Sequence, residues 1–73
     1  MTELDCRGQR CPLPVIALAK ALPTLDLGET ITVLTEDPAA AVDIPAWCRL
    51  RDQDYLGVTD ADGTPAYAVR RRT

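Results

Sequence analysis

The plainest pattern in the chain is Thr30-Ile31-Thr32-Val33-Leu34-Thr35, where β-branched and apolar residues alternate as in a half-buried strand. Before it, Val15, Leu18, Ala19 and Leu22 fall at i, i+3, i+4 and i+7, which predicts a helix over residues 12–22 with one apolar stripe. Pro23 and Gly28 stop that helix and turn the chain. Asp37-Pro38 predicts the start of a second helix, aspartate at the N-cap and proline at the first helical position. Pro45 has no N–H for the carbonyl of Ala41. This helix should therefore kink, or break into a second piece that Asp43 caps and that runs to Leu50. Residues 55–59 and 66–70 read as strands, joined across Asp60-Ala61-Asp62-Gly63 with its Asp-Gly hairpin signal. Residues 2–6, containing Leu4, make a short first strand, and Arg7-Gly8-Gln9-Arg10 a turn.

The order is β-α-β-α-β-β. Two helices need a face to bury, and one sheet supplies it, so the fold class expected is α+β: a two-layer α/β sandwich with both helices on one face. The first β-α-β unit calls for parallel strands and the last hairpin is antiparallel, which makes the four-stranded sheet mixed. With 73 residues the chain is one domain, residues 1–73, burying only about 60% of its extended surface and leaving no room for a large enclosed active site.

Composition narrows the chemistry. There is no histidine, hence no imidazole base and no histidine metal ligand. The net charge of -3, with only three aromatics, argues against direct nucleic-acid binding. No apolar run is long enough to span a membrane and the first residues do not form a signal peptide, so a cytoplasmic location with reduced thiols is expected. Charge is spread evenly along the chain, and the run Arg70-Arg71-Arg72 reads as a solvated strand end, the alternative being an anionic docking site.

Three cysteines do not make a closed disulfide framework, and without histidine they make a poor zinc site, so neither metal nor cofactor is expected. Cys48 reads as a buried, inert residue of the second helix, beside Trp47 in a packing role. Cys6 reads as a buried residue at the strand end, the alternative being a partner for Cys11 across the turn. Cys11 stands at the N-cap of the first helix or one residue before it. Pro12 suits the first helical position and Pro14 is tolerated in the first turn, so the mount is rigid. Pro14 has no N–H, which leaves the Leu13 N–H as the donor for the Cys11 sulfur. The helix dipole and the nearby Arg7 and Arg10 both favour thiolate, lowering a cysteine pKa from about 8.5 toward neutrality. No acid, base or oxyanion pocket accompanies the thiol, so it suits receiving and handing on a group better than hydrolysis. Leu13, Ile16 and Ala17 lie off the buried stripe, either as a docking patch around the sulfur or under covering loops.

Leu4-Asp5-Cys6-Arg7-Gly8-x-x-Cys11-Pro12-x-Pro14, Lys20, Gly28-Glu29, Asp37-Pro38-Ala39 and Asp43-Ile44-Pro45-x-Trp47-Cys48 together resemble the TusA/SirA-like sulfur carriers. The resemblance spans essentially the whole chain and implies the same β-α-β-α-β-β sandwich. It implies that Cys11 carries a persulfide, taken from a cysteine desulfurase or similar donor protein and passed to an acceptor protein. Thiolation of tRNA wobble uridine is one destination in the family; sulfur oxidation, molybdenum-cofactor assembly and selenium metabolism are others. On this resemblance Pro12, Leu13 and Pro14 shape the mount and Arg10 supports the charged sulfur. Lys20, Ile16 and Asp37 are candidates for partner docking, against plain roles as a solvated charge, a surface residue and an N-cap. The sequence departs from the family at Ala19, where many members carry a second basic residue, and at Leu13, where the position is often charged. A monomer is expected. Two alternatives stand beside this: a thiol-disulfide module using Cys6 and Cys11, and a regulatory module that binds a partner while Cys11 is idle.

Overall fold

A computed structural model describes residues 2–10 and 12–73. Its elements are β1 (Thr2–Asp5), α1 (Leu13–Ala21), a 3-10 turn (Leu22–Thr24), β2 (Thr30–Leu34), α2 (Ala40–Leu50), β3 (Asp54–Ala61) and β4 (Thr64–Arg70). The four strands form one sheet in the order β1-β2-β4-β3. β1 runs parallel to β2, with Leu4 opposite Val33, and α1 is the crossover between them. β4 lies antiparallel to both β2 and β3, so it slots between the strands that α2 connects. The expected mixed sheet and two-layer sandwich are what the chain forms.

Ile31 pairs with Val69 and Val33 with Tyr67, which puts these four side chains on one face. They join Leu18 and Leu22 of the α1 region and Ile44 and Cys48 of α2 in a single buried cluster, so both helices cover that face. Pro14 is fully buried too, a contribution the apolar stripe alone did not reveal. The hairpin turn is the two-residue Asp62-Gly63, with φ of 53° and 88°, the double positive φ that an Asp-Gly turn supplies. Its strands run several residues further than the β-branched runs suggested, because hairpin pairing continues from Ala61 opposite Thr64.

Both helix starts differ from expectation. Pro12 takes the N-cap of α1, with its carbonyl accepting the Ile16 N–H at 3.0 Å, so the helix begins at Leu13. In α2 the N-cap is Ala39, not Asp37. Asp37 instead closes the turn that leads in: its Oδ1 accepts the Ala39 N–H at 2.9 Å and its carbonyl the Ala40 N–H at 3.0 Å. Pro45 does not split α2, which is assigned as one helix from Ala40 to Leu50. The carbonyl that Pro45 leaves without a helical partner belongs to Ala41, an exposed residue, so the loss falls on the solvent side of the helix. Asp43 is accordingly no cap; its N–H donates to the Ala39 carbonyl at 2.9 Å as part of the first turn.

Candidate functional site

The loop from β1 into α1 and the loop from β2 into α2 meet at one end of the molecule. The Cys6 N–H donates to the Leu34 carbonyl at 2.8 Å, continuing the parallel ladder one residue past β1. The Gln9 N–H then returns to the Cys6 carbonyl at 3.1 Å, closing a turn in which Gly8 has a φ of 82°. Glycine is the residue that meets this backbone without strain. On the other loop, Thr35 is fully buried; its hydroxyl accepts the Asp37 N–H at 3.2 Å, and its N–H donates to the Pro65 carbonyl at 3.2 Å. Between the loops lies a cleft of about 380 Å³, lined by Gly8, Gln9, Arg10, Glu36, Asp37 and Pro38.

Cys11 lies outside the described residues, but its two neighbours are placed. Arg10 and Pro12 are both exposed, and Arg10 lines the cleft. The Leu13 N–H donates to the Arg10 carbonyl at 2.8 Å. The Leu13 N–H, expected as the donor for the Cys11 sulfur, thus has a backbone partner, and the sulfur itself lies outside the described residues. Arg7 differs as well. Its Nη2 meets Asp5 Oδ2 at 2.7 Å and its Nε meets Oδ1 at 2.8 Å, a two-pronged pair that holds the Asp5 carboxyl down at about 2. Its charge is matched locally, so of the two arginines Arg10 is the one with no ion pair among the described residues, and it stands beside the segment together with the helix dipole.

The other two thiols are out of reach of large partners. Cys6 is 2% exposed and Cys48 1% exposed, both within the core cluster. Burial pushes the Cys6 thiol up, with Asp5 adding to it, and burial followed by Asp54 pushes Cys48 up to about 11. A thiol-disulfide role for Cys6 would need an accessible thiolate, which this burial opposes.

The remaining expected residues sort by distance along α1. Leu13 and Ile16 are 50% and 43% exposed, so the apolar patch next to the segment is open and no loop covers it, while Ala17 packs against the core. Lys20 is exposed in the last turn, about 10 Å down the helix axis from Leu13, and so is not gathered with Arg10. Asp37 lies at the cleft wall with a structural task in its turn. The sequence reading did not single out Gly8, Gln9, Glu36 and Pro38 as site residues; the glycine turn was the one local signal, and Glu36 has none because the sheet alone brings it there.

The family profile for Sulfurtransferase TusA matches residues 2–71. The chain belongs to the TusA sulfurtransferase family. Proteins of this family work in sulfur relays, taking sulfur from a donor protein and giving it to an acceptor protein. A crystal structure of a SirA-like protein from Desulfitobacterium hafniense superposes with a TM-score of 0.85, is 25% identical and is matched over 100% of both chains. The fold and the family thus agree with the resemblance carried by the Cys11-Pro12-x-Pro14 segment and its surroundings. Among the described residues no helix is long and apolar enough to cross a membrane, and no group of three His, Cys, Asp or Glu side chains could hold a metal ion.

Proposed function

We propose that residues 1–73 are one cytoplasmic sulfur-carrier domain in which Cys11 is the carrying thiol. The observation that carries this reading is the contrast among the three cysteines within a TusA-family chain. Cys6 and Cys48 are buried with raised thiol pKa values, whereas Cys11 is flanked by exposed Arg10 and Pro12 beside an open cleft.

The chemistry is an exchange of one sulfane sulfur. The Cys11 thiolate attacks the outer sulfur of a persulfide on the donor, a cysteine desulfurase or a similar protein. The donor thiolate leaves, and Cys11 becomes the persulfide. An acceptor thiolate then attacks the outer sulfur and Cys11 leaves as thiolate, with no net oxidation. Pro12 and Pro14 hold the segment, Leu13 and Ile16 offer an apolar contact to the docked partner, and Arg10 offsets negative charge on the sulfur. Lys20 and Asp37 are further docking candidates. The final destination is tRNA 2-thiouridine or another sulfur-trafficking product.

The test is incubation with a cysteine desulfurase and cysteine, followed by mass spectrometry. One added sulfur atom on Cys11, absent in Cys11→Ser, is expected. No adduct from several donors of this class, or an undiminished adduct in Cys11→Ser, would overturn the reading.

A further inference from the structure

The charges, even along the sequence, are sorted in space. β2 enters the sheet at Thr30 opposite Arg70 and leaves it at Leu34 beside Cys6, which fixes the two ends of the molecule. The two helices start together, because Pro12, Pro14, Asp37 and Asp43 border one small recess, and they finish together at the opposite end. Lys20, Arg49, Arg51, Arg70, Arg71 and Arg72 gather at that opposite end, against Asp26, Glu29, Asp52 and Asp54. Arg70 and Arg72 face Asp54 at 3.0 Å and 3.9 Å, and the Arg71 guanidinium is held by the carbonyls of Pro23 and Leu25. Lys20, Arg49 and Arg51 make no ion pair with any described residue.

A second cleft of about 270 Å³ opens there, between the end of α1 and the end of α2. Ala19, Leu22 and Pro23 form one side, and Trp47, Arg51 and Gln53 the other. Trp47 packs partly on the core and also lines the cleft. Arg51 follows Trp47 by four residues and so stands one turn beyond it on the same face. The Gln53 amide is already engaged, with its Oε1 accepting the Arg72 N–H at 2.7 Å, which leaves Arg51 as the group able to bind an incoming ligand.

We propose that this cleft is a second docking site, for an acidic segment of a partner protein that seats one aromatic side chain against Trp47 and Pro23 and sets a carboxylate on Arg51. The volume lies below the range of small-molecule pockets and suits one large side chain. Tryptophan and arginine are the residue types most enriched where binding energy concentrates. Arg51 in the cleft wall, with no ion pair among the described residues, selects negative charge in the partner. This site lies at the far end from Arg10 and Pro12 and is independent of the sulfur chemistry.

The chain has one tryptophan, so the Trp47 indole N–H gives a single NMR resonance. The ¹⁵N-labelled full chain is titrated with an acetylated, amidated peptide Glu-Asp-Phe-Leu-Glu-Asp to about 5 mM, where a site of millimolar Kd is mostly filled. Saturable shifts centred on Ala19, the Trp47 indole, Arg51 and Gln53 are expected. Arg51→Gln should weaken binding about fivefold and Arg51→Lys less, as for one exposed ion pair. A peptide with lysine at the acidic positions should not bind. No shifts, shifts centred elsewhere, equal binding of the lysine peptide, or unchanged affinity in Arg51→Gln would each overturn the proposal. So would phenylacetate binding as tightly as the peptide, which would make this a small-molecule site. None of these outcomes depends on whether Cys11 accepts sulfur.

Discussion

Iodoacetamide offered briefly to the folded chain at pH 7 is expected to label Cys11 and to leave Cys6 and Cys48 almost untouched. Two routes lead to a buried thiol, and both are slow. In the native state Cys48 titrates at about 11, up from 9.0, so at pH 7 its thiolate is about 100-fold scarcer than that of an ordinary cysteine. At 1% exposure it also offers the reagent no approach. The second route is a local opening that restores an ordinary thiol. An opening that costs about 3 kcal/mol populates that state at roughly one part in 150. Cys6, 2% exposed at the end of β1, is limited by the same opening. A rate difference of about 100-fold between Cys11 and either of the others follows. The assay is a timed pulse, an acid quench, digestion and quantification of each cysteine peptide by mass spectrometry. A parallel pulse in guanidinium should bring the three rates together. If Cys6 or Cys48 reacts within tenfold of Cys11 while circular dichroism reports a folded chain, burial does not select the carrier and the reasoning fails.

Arg10→Gln should raise the midpoint of the Cys11 alkylation-rate profile by about 0.3 pH units, as expected for one exposed cation nearby. The charge-neutral double replacement Asp5→Asn with Arg7→Gln should leave it unmoved, because that pair is already matched; a larger effect from the double variant would contradict the assignment. Ile44→Ala, at a fully buried position facing the sheet, should cost about 2–4 kcal/mol in urea denaturation, with a value under 1 excluding it from the core. Stability should also fall between pH 9 and 11. The Cys48 thiol is raised in the folded state, so the unfolded chain loses that proton first and its stabilising effect, full below pH 9, is lost as pH approaches 11. Cys6, Tyr55 and Tyr67 shift in the same direction, so Cys48→Ala should reduce the slope without abolishing it; an unchanged slope would exclude Cys48 as a contributor.

What could be read from the sequence was local. The alternation over Thr30–Leu34 and the Asp-Gly turn each carry their own backbone preference, and β2 and the hairpin formed where those preferences pointed. The Cys11-Pro12-x-Pro14 segment stood out because two prolines in a first turn are a local constraint as well. What could not be read depends on residues far apart in the chain. Nothing local says that β4 inserts between β2 and β3, and only that order brings Pro65 against Thr35 and sets the loop bearing Glu36 and Asp37. Arg7 counted as an activating charge until Asp5, two residues back on the same turn, proved to face it. Asp37-Pro38 looked like a helix start because an aspartate that closes a turn and one that caps a helix make the same kind of bond to an N–H two residues on.

The sorting of charge was the least visible feature, and its cause is geometric. Each helix tends to carry acids at its N-terminus and bases at its C-terminus, as the macrodipole favours. Asp43 with Arg49 in α2, and Lys20 at the end of α1, follow that rule separately. Two crossovers launched from the same end of one sheet make the helices run side by side in the same direction, so the separate preferences add. A chain with near-balanced halves thereby acquires one end with Arg10, Pro12 and most of the acids and another with most of the bases and the Trp47 cleft. α2, eleven residues long, spans about 16 Å between them. On the two proposals made above, that separation would let a partner hold the basic end while a second protein approaches the Cys11 segment. A carrier that has to meet both a donor and an acceptor gains from being held by one face and reacted at another.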